Sequence, residues 1–414
     1  MKAAFRTRAL TLAFVLASST VSHAADIQWP SFLWKDPGLA PALKELKSTY
    51  EQDNPQNHIN NVLIPVATFW DKQFADVSNG NPPDIGTFYD PDVRAYIEQG
   101  LLEPLDNYLS TAGIDRASFV PTASLGQKGG HVYAVPIVVN ARALFYNDKL
   151  FRDAGMQPPK DAARFLEAAK KLRKPEAQQF GYATASKPGN ASLNFIEISP
   201  LIGGFGGGFF KDGRPSANSP ETIAALSLYK QLFDENLIPR GVDTGVYRDM
   251  FAHGKVGMYA AGSFIAGVVE GADKEVYKDL RAIPLPFPGG QTVSVTVFLG
   301  IPKGAKNKDA AAAVLMRMLK SDFQLKIAQI GKAYPGRVNM LPAKFFDQNP
   351  WFKAFETASL TAHSYAPEGV EQYGPEIIKI VSEGLENMLF QGVSPEETAN
   401  NLQQKLTDFI GTKK

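Results

Sequence analysis

The chain has 414 residues, with 43 Lys and Arg against 42 Asp and Glu and no cysteine. Balanced charge without basic runs argues against nucleic acid or an anionic membrane surface as a partner. The lack of cysteine excludes a disulfide framework, a thiolate metal site and a lipid-modified cysteine anchor.

Residues 1–24 read as a cleavable export leader. Lys2, Arg6 and Arg8 give a positive start, 10–16 is a short apolar core, and Ser22-His23-Ala24 offers small residues for cleavage. The apolar core is too short to span a bilayer, and no later run of about 20 apolar residues follows. Removing 24 residues from 414 leaves 390, with 40 Lys and Arg against 42 Asp and Glu. A free periplasmic protein is expected. That length exceeds one ordinary core and suits two domains of about 200 residues each.

Beyond the leader, strand and helix patterns alternate, the signature of α/β units. Leu39, Ala42, Leu43, Leu46 and Tyr50 predict a helix over 39–51, followed by a strand over 58–65 and a helix over 69–77. The segment "PPDIGTFYDPD" predicts a short strand closed by Asp90-Pro91 at the mouth of the next helix. Helices are predicted over 162–172, 220–235, 308–319 and 376–389, and strands over 255–260 and 293–301. No Pro/Ser-rich tether separates the halves, so short crossovers are expected to join them. "GGFGGG" at 203–208 lacks the Gly-Lys-Ser/Thr ending of a phosphate loop and predicts a turn after a helix.

The run 132–139 is apolar apart from Pro136 and then meets Asn140 and Arg142, polar groups where a core strand would continue. Metal and nucleophile chemistry find little support. His58, His131, His253 and His363 share no ligand spacing, and Ser263 follows Gly262 without the spacer of a hydrolase elbow. Two acids from Asp84, Asp90, Asp92 and Glu197 would suffice for a glycosidase, an alternative that sequence leaves open. Trp29, Trp34, Phe88, Tyr89, Phe264 and Tyr373 each sit beside polar residues at predicted loops or strand ends. Flat rings with nearby donors and acceptors are what a sugar site needs.

The segment "HVYAVPIVVNARALFYNDKLFRDAGMQPPKDAARFLEAAKKL" resembles a marker segment of the family 1 extracellular solute-binding proteins of bacterial ABC importers, the maltose-binding-protein-like group. "PPDIGTFYDPDVRAYIEQGLLEPLD", "FAHGKVGMYAAGSF", "IPKGAKNKDAAAAVLMRML" and "YPGRVN" agree with it in family order. The resemblance implies an α/β, two-lobed periplasmic binding protein fold of type II, each lobe a mostly parallel sheet flanked by helices. It implies crossovers near 138–142, 282–285 and 334–337. The lobes would comprise 25–138 with 285–333, and 139–284 with 334–414. Function would be capture of a carbohydrate in the interlobe cleft and delivery to the permease subunits of an importer, by a monomer, with no cofactor and no covalent chemistry.

Carried over residue by residue, the resemblance places Asn140 where the maltose-binding protein has a sugar-contacting acid. It places Phe88, Tyr89 and Asp90 on a contact loop, and Phe264, after Ser263, on a stacking position where Trp is common. Trp34 and Asp36 fall in the first strand-to-helix loop, and His363 and Tyr373 in C-terminal cleft loops. Asn for an acid and Phe for Trp count against maltose itself. Arg142 and Arg337, both at implied crossovers, motivate an alternative anionic ligand such as glycerol phosphate or a sulfonated or acidic sugar.

Overall fold

The computed structural model describes residues 24–36 and 38–413. The expected leader, apart from its last residue, lies outside the described residues. Among the described residues no helix is long and apolar enough to cross a membrane.

Two sheets organise the chain into two lobes. The first has the strand order Tyr334–Pro335, Ala134–Ala141, Thr292–Gly300, Ala362–Ser364, with Gly86–Phe88 also paired to Thr292–Gly300. The second runs Leu280–Ile283, Ala143–Asn147, Val256–Ala261, Phe180–Ala183. A parallel pair, Asp26–Gln28 with His58–Asn60, extends the first lobe. Every residue of Thr292–Gly300 is buried. The strand is central and covered on both faces, so its alternating Thr292, Ser294 and Thr296 are buried along with its valines.

The sheets are mixed, which corrects the expectation of mostly parallel ones. Thr292–Gly300 pairs antiparallel with Ala134–Ala141 and Gly86–Phe88, and parallel only with Ala362–Ser364. In the second sheet Ala143–Asn147 is antiparallel to both neighbours. The physical reason is the crossing itself. A chain that enters the second lobe along one strand and returns along another runs in opposite directions on the two passes.

The first crossing is abrupt. Arg142 alone separates Ala134–Ala141 in one sheet from Ala143–Asn147 in the other. The second runs from Leu280–Ile283 to Thr292–Gly300. The third crossing comes later than expected, because Tyr334 and Pro335 pair with Val139 and Val138 in the first sheet. Ala362–Ser364 also belongs to that sheet, so the chain joins the second lobe's helices only at Gly374–Phe390. Between these, helix Phe352–Thr361 packs on strands of both sheets. Its Phe355, with Trp351 just before it, meets Phe145 with ring centroids 4.9 and 5.8 Å away.

Helix ends follow local chemistry. Asp90–Glu98 opens with Asp-Pro-Asp, placing proline in its first turn and acids at its positive end. Ala162–Lys171 starts where Asp161 accepts from the Arg164 N–H at 2.8 Å and ends on Lys170 and Lys171. The 203–208 glycines do close a helix, Ala191–Gly204, which sequence periodicity does not reveal because its buried residues leave no polar stripe.

Candidate functional site: the junction of the two lobes

The lobes meet where three first-lobe segments face the end of strand Val256–Ala261. From the first lobe comes Asp36, after the short helix Phe32–Lys35, with Gly38 beside it. Tyr89 precedes helix Asp90–Glu98 and forms a wall with Trp70 and Phe32, ring centroids 5.0 and 5.7 Å from its own. From the second lobe come Arg248 on helix Thr244–Ala252, Tyr259 on the strand, and the turn Gly262, Ser263, Phe264. Arg142 enters from the crossing between the sheets.

Direct contact fixes this junction. A methyl group on Gly38 would stand 3.3 Å from the Phe264 Cβ, so the loop and the turn already touch. The Arg248 guanidinium lies over the Phe264 ring at 5.7 Å. Its Nε donates to the Tyr259 hydroxyl and its Nη2 to Glu197 Oε1, both at 3.2 Å. Burial pushes the Asp36 carboxyl up, and the Gly38 and Leu39 N–H groups and the Arg248 charge oppose that shift. Arg248 therefore acts across the junction on a first-lobe acid. Further along, Lys332 reaches Glu270 at 3.4 Å, joining the end of helix Ser321–Gly331 to helix Ile265–Ala272.

Gly262 sits at a crowded point. A methyl group there would come within 3.0 Å of the Phe264 ring and 3.1 Å of Arg142 Nη1. Ring and guanidinium thus close on the same point from two sides. Asn140 Oδ1 and Ser263 Oγ are buried polar atoms without a protein partner. Asn140 and Arg142 are two residues apart on an extended chain and share a face.

The anticipated residues separate into those at the junction and those elsewhere. Asp36, Tyr89, Asn140, Arg142, Ser263 and Phe264 come together there. Asp90 lies beneath them, fully buried, its Oδ1 accepting from the Thr296 N–H at 2.6 Å. Burial pushes its carboxyl up to about 7, opposed by the nearby Ser364 hydroxyl and the Thr296 N–H. Its Oδ2 completes no hydrogen bond.

Trp34 is a core residue, buried edge-on against Trp29 with its Nε1 donating to the Trp29 carbonyl at 2.9 Å. Phe88 is equally buried, against Tyr96. Arg337 is a clamp within the first lobe, donating to Ser118 Oγ at 2.8 Å and to the Leu319 carbonyl at 2.6 Å. His363 is exposed on the strand Ala362–Ser364. Tyr373 packs on Phe409 and Lys413 among the C-terminal helices. Of the acids weighed as a catalytic pair, Asp84 ties the Gln28 and Asn307 N–H groups, each at 2.8 Å. Glu197 accepts from Tyr259 and Arg248.

Trp70 and Arg248 were missed by sequence reasoning. Both sit within amphipathic helical stretches, where a half-buried aromatic or arginine looks like any residue at the edge of the surface.

Comparison with known proteins gives one consistent picture. A family model described as "Bacterial extracellular solute-binding protein" matches residues 36–322. A putative binding protein of Brucella abortus is 26% identical over 372 residues, covering 88% of this chain and 89% of its own. Among solved structures, a solute-binding protein of Thermotoga lettingae bound with alpha-D-tagatose superposes with a TM-score of 0.81 at 21% identity, covering 94% of this chain and all of its own. The GacH receptor of Streptomyces glaucescens, solved unliganded and with acarbose, gives a TM-score of 0.81 at 20% identity, covering 94% and 99%.

Proposed function

The chain belongs to the bacterial extracellular solute-binding protein family, and from that premise we propose that it captures a carbohydrate between its lobes and delivers it to the permease of an ABC importer. One observation carries the reading: an aromatic wall, Tyr89 with Trp70, and a second ring, Phe264, stand at a junction that also holds Asp36, Arg142 and Arg248. Rings cover the apolar C–H faces of a sugar, and fixed polar groups take its hydroxyls. Sugars held by the Thermotoga and Streptomyces proteins of the same fold support this class of ligand.

The mechanism is a shift of population. Ligand that touches both lobes stabilises the closed arrangement by what it contacts there in excess of the open one. The protein acts as a monomer, exported to the periplasm by its cleaved leader. Its part is capture and release, with no bond made or broken.

A thermal-shift screen of residues 25–414 against mono- and oligosaccharides tests the proposal. A sugar at 100 times its dissociation constant adds about 2.7 kcal/mol to stability, and a shift of the midpoint is expected. Release of a cleaved product from a glycoside would replace binding with catalysis.

A further inference from the structure

Arg142 is the one arginine or lysine among the described residues that is buried, at 6% exposure. It also differs in how it is paired from every other arginine among the described residues except the exposed Arg214. Arg94, Arg152, Arg164, Arg248 and Arg317 hold carboxylates. Arg116, Arg173, Arg240, Arg281 and Arg337 donate to carbonyl oxygens. Among the described residues the Arg142 guanidinium has no carboxylate within ion-pairing distance and no hydrogen-bond partner, although it is the most costly of these cations to leave uncompensated. Its charge is felt by the hydroxyls of Tyr89, Tyr259 and Tyr365, which burial keeps neutral.

The acids of the region are committed elsewhere. Glu197 is taken by Tyr259 and Arg248, Asp36 by the Gly38 N–H at 2.9 Å, and Asp90 by the Thr296 N–H. Asp92 caps the first turn of its own helix, held by backbone N–H groups. Two residues before Arg142 is an acceptor, Asn140 Oδ1, and next to Gly262, which the guanidinium approaches, is a hydroxyl, Ser263 Oγ, both buried and without protein partners. The Phe264 ring closes the fourth side across Gly262.

We propose that the solute is a small hydroxylated anion, a sugar or polyol bearing one carboxylate or phosphate group, and that Arg142 is the counter-ion that receives that group. The planar guanidinium offers paired donors matched to either anion. Asn140 and Ser263 then take hydroxyls of the carbon skeleton while Phe264 covers its apolar face. This rests on the reading of the chain as a carbohydrate-capturing protein and names the chemistry its site selects.

The test is titration calorimetry of the full mature chain with pairs that differ in charge alone: glucose with glucuronate, galactose with galacturonate, glucose with glucose 6-phosphate, and glycerol with glycerol 3-phosphate. The carboxylate and phosphate arms separate the two sources of charge. One anionic member is expected to bind at least 10-fold more tightly than its neutral partner. Arg142→Gln should weaken that anion at least 50-fold without lowering the melting midpoint of the ligand-free protein, and Arg142→Lys should recover part of the affinity. A neutral sugar bound as tightly as its acid overturns the proposal and leaves carbohydrate capture standing. Binding of the anion unchanged in a folded Arg142→Gln protein overturns it as well. If no member of either set binds while a neutral oligosaccharide does, the proposal falls and carbohydrate capture stands.

Discussion

The Tyr259 hydroxyl donates to Glu197 Oε1 at 2.9 Å, and Arg248 reaches the same oxygen at 3.2 Å. One buried carboxylate oxygen thus ties a strand and two helices of the second lobe and aims Arg248 at Phe264 and Asp36.

Glu197→Ala therefore removes the counter-charge of Arg248 and frees the Tyr259 hydroxyl. With Glu197 buried and the Arg248 side chain 29% exposed, breaking the pair from the Glu197 side costs at most about 3 kcal/mol, the low end for a buried pair. Urea denaturation should show a loss of that order, and an unchanged midpoint would mean the carboxylate is dispensable.

Asp90 predicts a pH dependence. Its carboxyl is pushed up to about 7 in the folded chain, by burial, against an ordinary 3.8. A raised folded value means the protonated form favours folding. That contribution is complete below about pH 4 and is lost as pH rises to 7, at roughly 1.4 kcal/mol per unit. Asp90→Asn stays neutral throughout. The stability difference between the two proteins should change across pH 4–7 in the mutant's favour, and parallel curves would contradict the assignment.

Phe264→Ala removes the ring that meets both the Gly38 loop and Arg248. Ligand affinity should fall about 10- to 100-fold, equivalent to about 1.4–2.8 kcal/mol, while circular dichroism stays native. Equal affinity would remove Phe264 from the site.

Arg337→Ala is expected to do the reverse. Losing donors to Ser118 Oγ and the Leu319 carbonyl should cost about 2 kcal/mol of stability, with the dissociation constant of whichever ligand is found unchanged. A tenfold loss of affinity at unchanged stability would return Arg337 to the cleft.

What sequence reveals depends on whether the signal is local. The helices Ala162–Lys171 and Pro220–Asp234 carry apolar residues at helical spacing and sit within a residue of where that spacing puts them. The break at Asn140 and Arg142 marks the first crossing because two polar residues at the end of an apolar strand have no bland explanation. Strand direction is not local. Nothing near 292–300 states that it will lie antiparallel to Ala134–Ala141, since neither buried strand carries a local mark of its partner's direction. The same limit explains the aromatics. Trp34 and Phe88 have polar neighbours in sequence, yet the space around them is filled by Trp29 and Tyr96. Arg248 and Trp70 owe their place to how helices pack, which no stretch of residues records.

The strand Thr292–Gly300 has a consequence for the order in which the molecule can assemble. All four strands of the second sheet lie within residues 143–283, one uninterrupted stretch. The first sheet, by contrast, keeps Ala134–Ala141 waiting for a central partner about 150 residues downstream. A chain emerging from its amino end can close the inserted sheet while the lobe that begins the polypeptide still exposes an unpaired apolar strand. The lobe begun first is thus completed after its neighbour's sheet, and translocation halted before residue 300 would strand it open, a substrate for proteases and chaperones.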